Sequence, residues 1–404
     1  MVYAAILGYG TVGSGVAAVL EENREMIAGK AGEEISVKYI LDLREFPGDV
    51  NENKVVHDFD IILNDPEISV ICETMGGIEP AYTFSKKALL LGKSVCTSNK
   101  ELVANHGPEL LRLAKENHCN YLFEASVGGG IPIIRPLNYS LTAEKIDGIT
   151  GILNGTTNYI LTKMEREGAD FESVLKEAQE KGYAEKNPEA DVEGYDACRK
   201  IAILSSLMLE KTVDYRDIYT EGITKITSQD FAYAKAMGKT IKLLAMSKLT
   251  KKGCFAIVAP FMIPAEHPLH GVNDVYNAVF VHGNMLGDSM YYGRGAGKLP
   301  TASAVVSDVV DCARHQGKTI MCLWDEKKVA LLPIGDVERA FFVRVSEGKD
   351  REAKVKEVFG DVELIRVPEA PGEFAFVTGV MSEREFAEKL KQTEGVLTSI
   401  RLEA

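Results

Sequence analysis

Near its start the chain reads Tyr3-Ala4-Ala5-Ile6-Leu7-Gly8-Tyr9-Gly10-Thr11-Val12-Gly13. A short apolar run of strand character leads at once into a G-x-G-x-x-G loop, and the residues after Gly13 open an amphipathic helix. In that setting each glycine has a task. One allows a tight turn at the strand end, one lets backbone approach a pyrophosphate, and one lets helix pack closely on strand. The helix N-terminus then offers unpaired N–H groups to phosphate oxygens. Gly8, Gly10 and Gly13 therefore read as a dinucleotide cradle.

The alternation of short apolar runs with longer amphipathic stretches continues through the first 130 residues. Strands are expected at Tyr3–Leu7, Ile35–Leu41, Asp60–Leu63, Val70–Glu73, Ser94–Thr97 and Tyr121–Glu124, and helices near 12–27, 79–91 and 101–117. This is the pattern of an α/β domain with a Rossmann-type doubly wound parallel sheet. The second strand should end on the cofactor ribose, at Leu41-Asp42-Leu43-Arg44. Asp42 suits a free 2′-hydroxyl and Arg44 a 2′-phosphate, so the choice between NAD and NADP stays open.

From about Ile131 the texture changes to Thr/Gly-rich segments, then helices near 157–167, 171–182 and 194–210. Strands follow around 254–263 and 278–282, and a Gly-rich turn at 293–304 runs into a helix starting near Thr301. This part reads as an α+β domain. After Gly335 the order is strand, helix, strand, strand, helix, strand over Ala340–Arg401, a ferredoxin-like βαββαβ unit. It looks like a separate module.

Composition narrows the function classes. Of the 404 residues 46% are hydrophobic, and the net charge of −13 argues against nucleic acid, whose phosphates demand dense basic patches. No uncharged run reaches the ~18–20 residues of a membrane span. The seven cysteines are odd in number, scattered and without a C-x-x-C pair, as befits reduced thiols of a cytoplasmic protein.

Four polar segments stand out. Val95-Cys96-Thr97-Ser98-Asn99-Lys100 lies where a parallel strand should end, so Lys100 is placed to act as an electrostatic clamp or proton carrier, or is a solvated lysine at a helix start. Gly182-Tyr183-Ala184-Glu185, Asp191 and Asp196-Ala197-Cys198-Arg199-Lys200 lead into an apolar helix. There Asp196 and Lys200, four residues apart, share a face. Such a pair is ordinarily a surface ion pair, but partial burial would fit Lys200 for acid–base work. Asn154-Gly155-Thr156-Thr157-Asn158 either donates hydrogen bonds to substrate, through Asn154 and Thr156, or caps the following helix. Glu124-Ala125-Ser126-Val127-Gly128-Gly129-Gly130-Ile131 sets one carboxylate beside many free carbonyls. That composition suits a hard monovalent cation or a plain hinge.

Taken together, the segments resemble the homoserine dehydrogenase family across residues 1–318. The resemblance rests on the Gly8–Gly13 loop, Thr97–Lys100, Glu124–Pro132, Asn154–Tyr159, Tyr183–Pro188, Asp191, Asp196–Lys200, Gly293–Gly297 and Pro300–Ala304, in that order. It implies reversible NAD(P)H-dependent reduction of L-aspartate 4-semialdehyde to L-homoserine, in threonine, methionine and isoleucine synthesis. By the same resemblance Lys200 is the proton donor and Lys100 a second catalytic lysine near the nicotinamide. Glu185, Asp191 and Asp196 hold the substrate ammonium or orient Lys200, while Thr11, Val12 and Gly297 touch the cofactor. Glu124 with the carbonyls of Val127, Gly129 and Ile131 matches a sodium site.

The resemblance also implies a cofactor domain of residues 1–130 plus 300–318 and a substrate and dimerisation domain of 131–299. A linker over 319–335 and an ACT-like regulatory domain at 336–404 would follow, in a homodimer or homotetramer. Two departures are visible. Leu41 stands where NADP-preferring members often carry Arg. The first strand–helix loop of the tail, Ser346-Glu347-Gly348-Lys349-Asp350, lacks the usual Pro-Gly, which bears on threonine as an effector.

Two other readings stand beside this one. Cys96-Thr97-Ser98-Asn99 superficially resembles the nucleophile segment of cysteine-dependent aldehyde dehydrogenases, whose thiol forms a thiohemiacetal. A cofactor domain with an ACT-like tail would also suit a non-catalytic NAD(P) and amino-acid sensor.

Overall fold

The computed structural model describes residues 1–403 as two compact units. One comprises residues 1–144, 202–214 and 291–329, the other residues 145–201, 215–290 and 330 onward.

The first unit is built on a six-stranded, wholly parallel sheet. Its strands lie in the order Val55–Val56, Ile35–Leu41, Val2–Leu7, Ile68–Glu73, Ser94–Thr97, Tyr121–Leu122. The order reverses beside Val2–Leu7, the crevice where doubly wound sheets bind nucleotides. Val2–Leu7 is buried on both faces, hence the absence of polar alternation. The helix Lys298–Arg314 belongs to this unit, its Ala302, Val305 and Val309 sharing a core with Val16, Ile6 and Ile40.

One expected strand is a helix. Asp60–Leu63 lies within the helix Phe59–Asn64. The β-branched Ile61-Ile62 pair suggested extension, but Asp58 caps the turn by accepting from the Asp60 N–H, and Phe59 and Ile62, three apart, are the residues it buries. Near 12–27 the chain forms two helices, Thr11–Glu22 and Arg24–Ala31, broken at Asn23. At 121–124 the strand stops at Leu122, and Glu124 begins a tight turn.

In the second unit the sheet order is Tyr276–Gly283, Ile146–Ile152, Lys239–Thr250, Gly253–Pro264, Val396–Leu402, Phe341–Ser346, Glu373–Val377, Leu364–Ile365. The last four strands, with helices Arg351–Phe359 and Glu383–Leu390, form the ferredoxin-like arrangement with its strands in the order 4-1-3-2, around Phe341, Val343, Phe359, Phe374 and Phe376. Its strand Val396–Leu402 pairs in parallel with Gly253–Pro264. Arg344 donates to Asp230 at 2.8 Å, and Arg401 to Glu221 at 2.6 Å. The tail thus shares both sheet and ion pairs with the rest of its unit.

Candidate active site

The glycine loop is held by backbone geometry. Gly8 has φ +88° and donates its N–H to the Leu41 carbonyl at 2.8 Å. A Cβ on Gly13 would lie 1.9 Å from the Gly8 oxygen, so only glycine fits there. Gly10 is different, since a Cβ there would meet nothing within 4 Å. That space adjoins the start of the helix Thr11–Glu22, where Gly10 supplies no side-chain cap and leaves the first N–H groups for a ligand. The cradle therefore fits a pyrophosphate. Asp42 accepts from the Tyr9 N–H at 2.8 Å and takes both Arg44 Nε and Nη2, at 3.0 and 2.9 Å. The guanidinium, largely in solvent, holds the Asp42 carboxyl well below the usual carboxylate range. Asp42 and Arg44 thus meet beside the loop. Gly297, at φ +121°, precedes the helix Lys298–Arg314 in the same unit.

Next along the sheet, Lys100 is the first residue of the helix Lys100–Glu116, capped by Asn99, whose Oδ1 accepts from Leu102 N–H. Linked to Asn99 through Thr97 is a residue that the sequence marks only as a strand end. Glu73 is fully buried and accepts from Thr97 Oγ1 at 2.5 Å and from Met75 N–H at 2.8 Å. Burial pushes its carboxyl up to about 7 despite those bonds. A carboxylate closing a buried parallel strand and followed by Thr-Met-Gly-Gly was the available signal.

In the second unit, Lys200 lies on the helix Tyr195–Leu209 and is only 9% exposed. Its Nζ donates to Asp196 Oδ2 at 2.7 Å and to the Leu153 carbonyl at 2.8 Å. Asn154 Nδ2 donates to Asp196 Oδ2 at 2.9 Å and to Asp191 Oδ1 at 2.7 Å. Its Oδ1 meanwhile caps the helix Gly155–Glu167 through Thr157 N–H. Asn154 therefore caps and also joins the charged cluster. Thr156 Oγ1 donates to the Tyr183 carbonyl at 2.6 Å, tying down the turn that precedes the exposed Glu185. The cluster gathers Lys200, Asp196, Asp191 and Asn154, while Glu185 stands in solvent. An ammonium with two of its three N–H donors taken keeps one for a substrate oxygen.

Glu124 is also buried, but its carboxylate is committed to backbone. Oε1 accepts from Ile133 and Ile134 N–H at 2.6 and 2.9 Å, and Oε2 from Arg135 N–H at 2.8 Å. Arg135 in turn pairs with Asp308 and Asp311. Among the described residues no three His, Cys, Asp or Glu side chains gather as a metal cluster. A cation at this loop would accordingly lean on the carbonyls of Val127, Gly129 and Ile131.

Cys96 is sealed. It is fully buried, 3.6 Å from Cys312 Sγ, and burial pushes its thiol well above the ordinary range. A thiol without access or thiolate character cannot serve as the nucleophile of an aldehyde dehydrogenase. Among the described residues no helix is long and apolar enough to cross a membrane.

A glycine cradle at the reversal point of a doubly wound sheet, with an anchored acid at the end of the second strand, defines a dinucleotide-binding protein of the Rossmann type. The comparisons give the particular kind. Residues 8–124 match the family model "Homoserine dehydrogenase, NAD binding domain", and residues 132–310 match "Homoserine dehydrogenase". The chain is 38% identical over 403 residues to a homoserine dehydrogenase of Helicobacter pylori, spanning 97% of this chain and 95% of that one. It is 43% identical over 312 residues to one of Bacillus subtilis, spanning 76% and 71%. Among solved structures, a homoserine dehydrogenase from Thiobacillus denitrificans superposes with TM-score 0.89 at 35% identity, covering 100% of this chain and 98% of that one. A hyperthermophilic archaeal homoserine dehydrogenase in complex with NADPH superposes at 0.64 with 28% identity, covering 77% and 97%. The chain belongs to the homoserine dehydrogenase family, and its reaction is the NAD(P)H-dependent interconversion of L-aspartate 4-semialdehyde and L-homoserine.

Proposed function

We propose that Lys200 delivers the proton in this reaction, and that its buried pairing with Asp196 and the Leu153 carbonyl is the observation that carries the assignment. NAD(P)H, when bound, supplies the hydride to the aldehyde carbon. The oxygen then gathers negative charge and needs a donor within roughly 2.6–3.2 Å. The third N–H of Lys200 meets that need, its charge stabilising the alkoxide and its proton quenching it. Asp196 keeps the ammonium oriented. Asp191 and Glu185 attract the substrate ammonium, and Asn154 and Thr156 hold the surrounding turns. Lys100 is a second catalytic lysine, and Gly8, Gly10, Thr11, Val12, Gly13, Asp42, Arg44 and Gly297 hold the cofactor. Lys200→Ala should lower turnover at least about a hundredfold in both directions with nucleotide affinity little changed, read from nucleotide absorbance at 340 nm. Near-normal turnover would move the acid role to Lys100 or to water.

The remaining assignments rest on family resemblance. A sodium ion at the 124–131 loop would be held mainly by the carbonyls of Val127, Gly129 and Ile131, with Glu124 as a nearby charge. The enzyme is read as a cytoplasmic homodimer or homotetramer paired through residues 131–299. The division into a cofactor domain (1–130 with 300–318), a linker (319–335) and an ACT-like regulatory domain (336–404) is likewise part of the proposal. Threonine is the effector that such a tail would take.

A further inference from the structure

Glu73 has no place in the mechanism above, yet it is a carboxylate placed at full burial with no cationic partner among its hydrogen bonds. Burying such a group is costly, and an apolar residue would serve packing better. What Glu73 does can be read from its neighbours. It is the last residue of its strand and sits in register with Thr97, the last residue of the adjacent parallel strand. The space just beyond such carboxyl ends is where open α/β sheets bind ligands.

Its two oxygens hold two loops at once. Oε1 takes the Met75 N–H, fixing the turn 74–77, and Oε2 takes the Thr97 hydroxyl. Thr97 Oγ1 then accepts the Asn99 N–H at 2.9 Å, and Asn99 Nδ2 returns to the Gly77 carbonyl at 2.6 Å, closing a ring. On one side the 74–77 turn reaches the glycine loop, where Thr74 Oγ1 donates to the Leu7 and Gly8 carbonyls at 3.0 and 2.8 Å. On the other, Asn99 caps the helix whose first residue is Lys100.

We propose that Glu73 is a positioning residue for hydride transfer: through Thr97 and Asn99 it fixes the 74–77 turn and the start of the Lys100 helix against which the nicotinamide end of the cofactor lies. This rests on the reading of the glycine loop and Lys100 as cofactor-facing. The chemistry asks for a carboxylate, the form Glu73 takes above about pH 7, where the variants are compared. An acceptor-only group lets Thr97 donate downward and leaves Thr97 Oγ1 free to accept from Asn99. A glutamine amide would donate to Thr97 and reverse the chain, and an aspartate would fall short of Thr97 by a methylene.

The test uses the full chain with Glu73→Gln, Thr97→Val, the double variant and Thr97→Ser. Turnover, KM, nucleotide Kd and the primary isotope effect with deuterated NAD(P)H are measured for each. Glu73→Gln and Thr97→Val should each lower kcat roughly tenfold or more and raise the isotope effect, with nucleotide Kd changed less than about threefold. Because both act through one chain of bonds, the double variant should lose no more than either single variant, and Thr97→Ser should recover most of what Thr97→Val loses. Unchanged kcat in the single variants, or losses that multiply in full in the double, would overturn the proposal. If Glu73→Gln does not fold, the Thr97→Val and Thr97→Ser pair decides, and equal kcat in those two refutes it. Gly10→Val separates the underlying reading: if it leaves nucleotide Kd unchanged, the cofactor assignment itself has failed, whereas a weakened Kd there with inert Thr97 variants condemns Glu73 alone.

Discussion

Glu73 in the first unit and Asp196 in the second are both buried carboxylates, and they are held in opposite ways. Asp196 faces an ammonium, Lys200, and an amide, Asn154. Glu73 is held by a hydroxyl and a backbone N–H. The contrast extends to the regions around them. The glycine loop beside Glu73 is shaped by backbone and by side chains that are missing, as at Gly8, Gly10 and Gly13. The Lys200 cluster is shaped by opposed charges on facing elements. A cofactor that arrives with its own phosphates suits a slot lined with oriented N–H dipoles, whereas an aldehyde that develops charge during reaction suits an ammonium held in place by carboxylates. Backbone-built and charge-built sites should therefore fail differently.

The sharpest break lies within the glycine loop itself. Gly13→Ala would force a Cβ to 1.9 Å from the Gly8 oxygen, so backbone must move, and the first unit should lose more than about 3 kcal/mol or fail to fold. Gly10→Val meets open space and should fold normally while binding nucleotide severely less well. Urea unfolding checks the first, followed through Trp324, the sole tryptophan and a member of this unit; nucleotide titration checks the second. Two foldable variants, or two that bind, would erase the distinction between a packing glycine and a cradle glycine.

Glu73 gives the next effect, and it is one of pH. Its carboxyl is raised from 4.5 to about 7, chiefly by burial. Across that window the folded unit keeps a proton that the unfolded chain releases. Stability contributed by the neutral form is therefore complete below about 4.5 and lost as pH rises through about 7, a fall on the order of 3 kcal/mol. The Trp324 urea midpoint should drop over this range, and Glu73→Gln should flatten the drop. An unchanged slope in that variant would place the titration elsewhere.

How much of this was legible in sequence follows from where the partners lie. The glycine loop was readable because strand, loop and helix start occupy eleven consecutive residues. Asp196 and Lys200 were readable because helical spacing alone makes them neighbours. The long strand Lys239–Thr250 was not anticipated, because Lys242 interrupts its apolar run. That lysine is fully buried, its ammonium satisfied by the Val272 carbonyl and Asn273 Oδ1 at 2.8 Å each, partners thirty residues away. Glu73 escaped for the same reason, since its meaning lies in Thr97 and Asn99 on another strand and helix. The misread Asp60–Leu63 is a local error, where Asp58 as a helix cap outweighs two isoleucines.

The smallest effect is expected at Glu185, which tests how far the charge-built site extends. Lys200, Asp196, Asp191 and Asn154 hold one another, whereas Glu185 is exposed on a turn secured through its own carbonyl by Gln179 Nε2 at 3.1 Å, and through Thr156. A carboxylate that attracts a substrate ammonium through solvent acts about equally in ground state and transition state. Its loss therefore shows in binding rather than in the chemical step. Glu185→Ala should raise the apparent KM for aspartate semialdehyde several-fold, on the order of 1 kcal/mol, with kcat changed less than KM. Because an exposed pair is screened, the KM difference between wild type and variant should shrink as salt rises through a few hundred millimolar. Steady-state kinetics at two ionic strengths check both statements. A variant that loses kcat while keeping KM would place Glu185 with Lys200 in the cluster proposed to supply the proton.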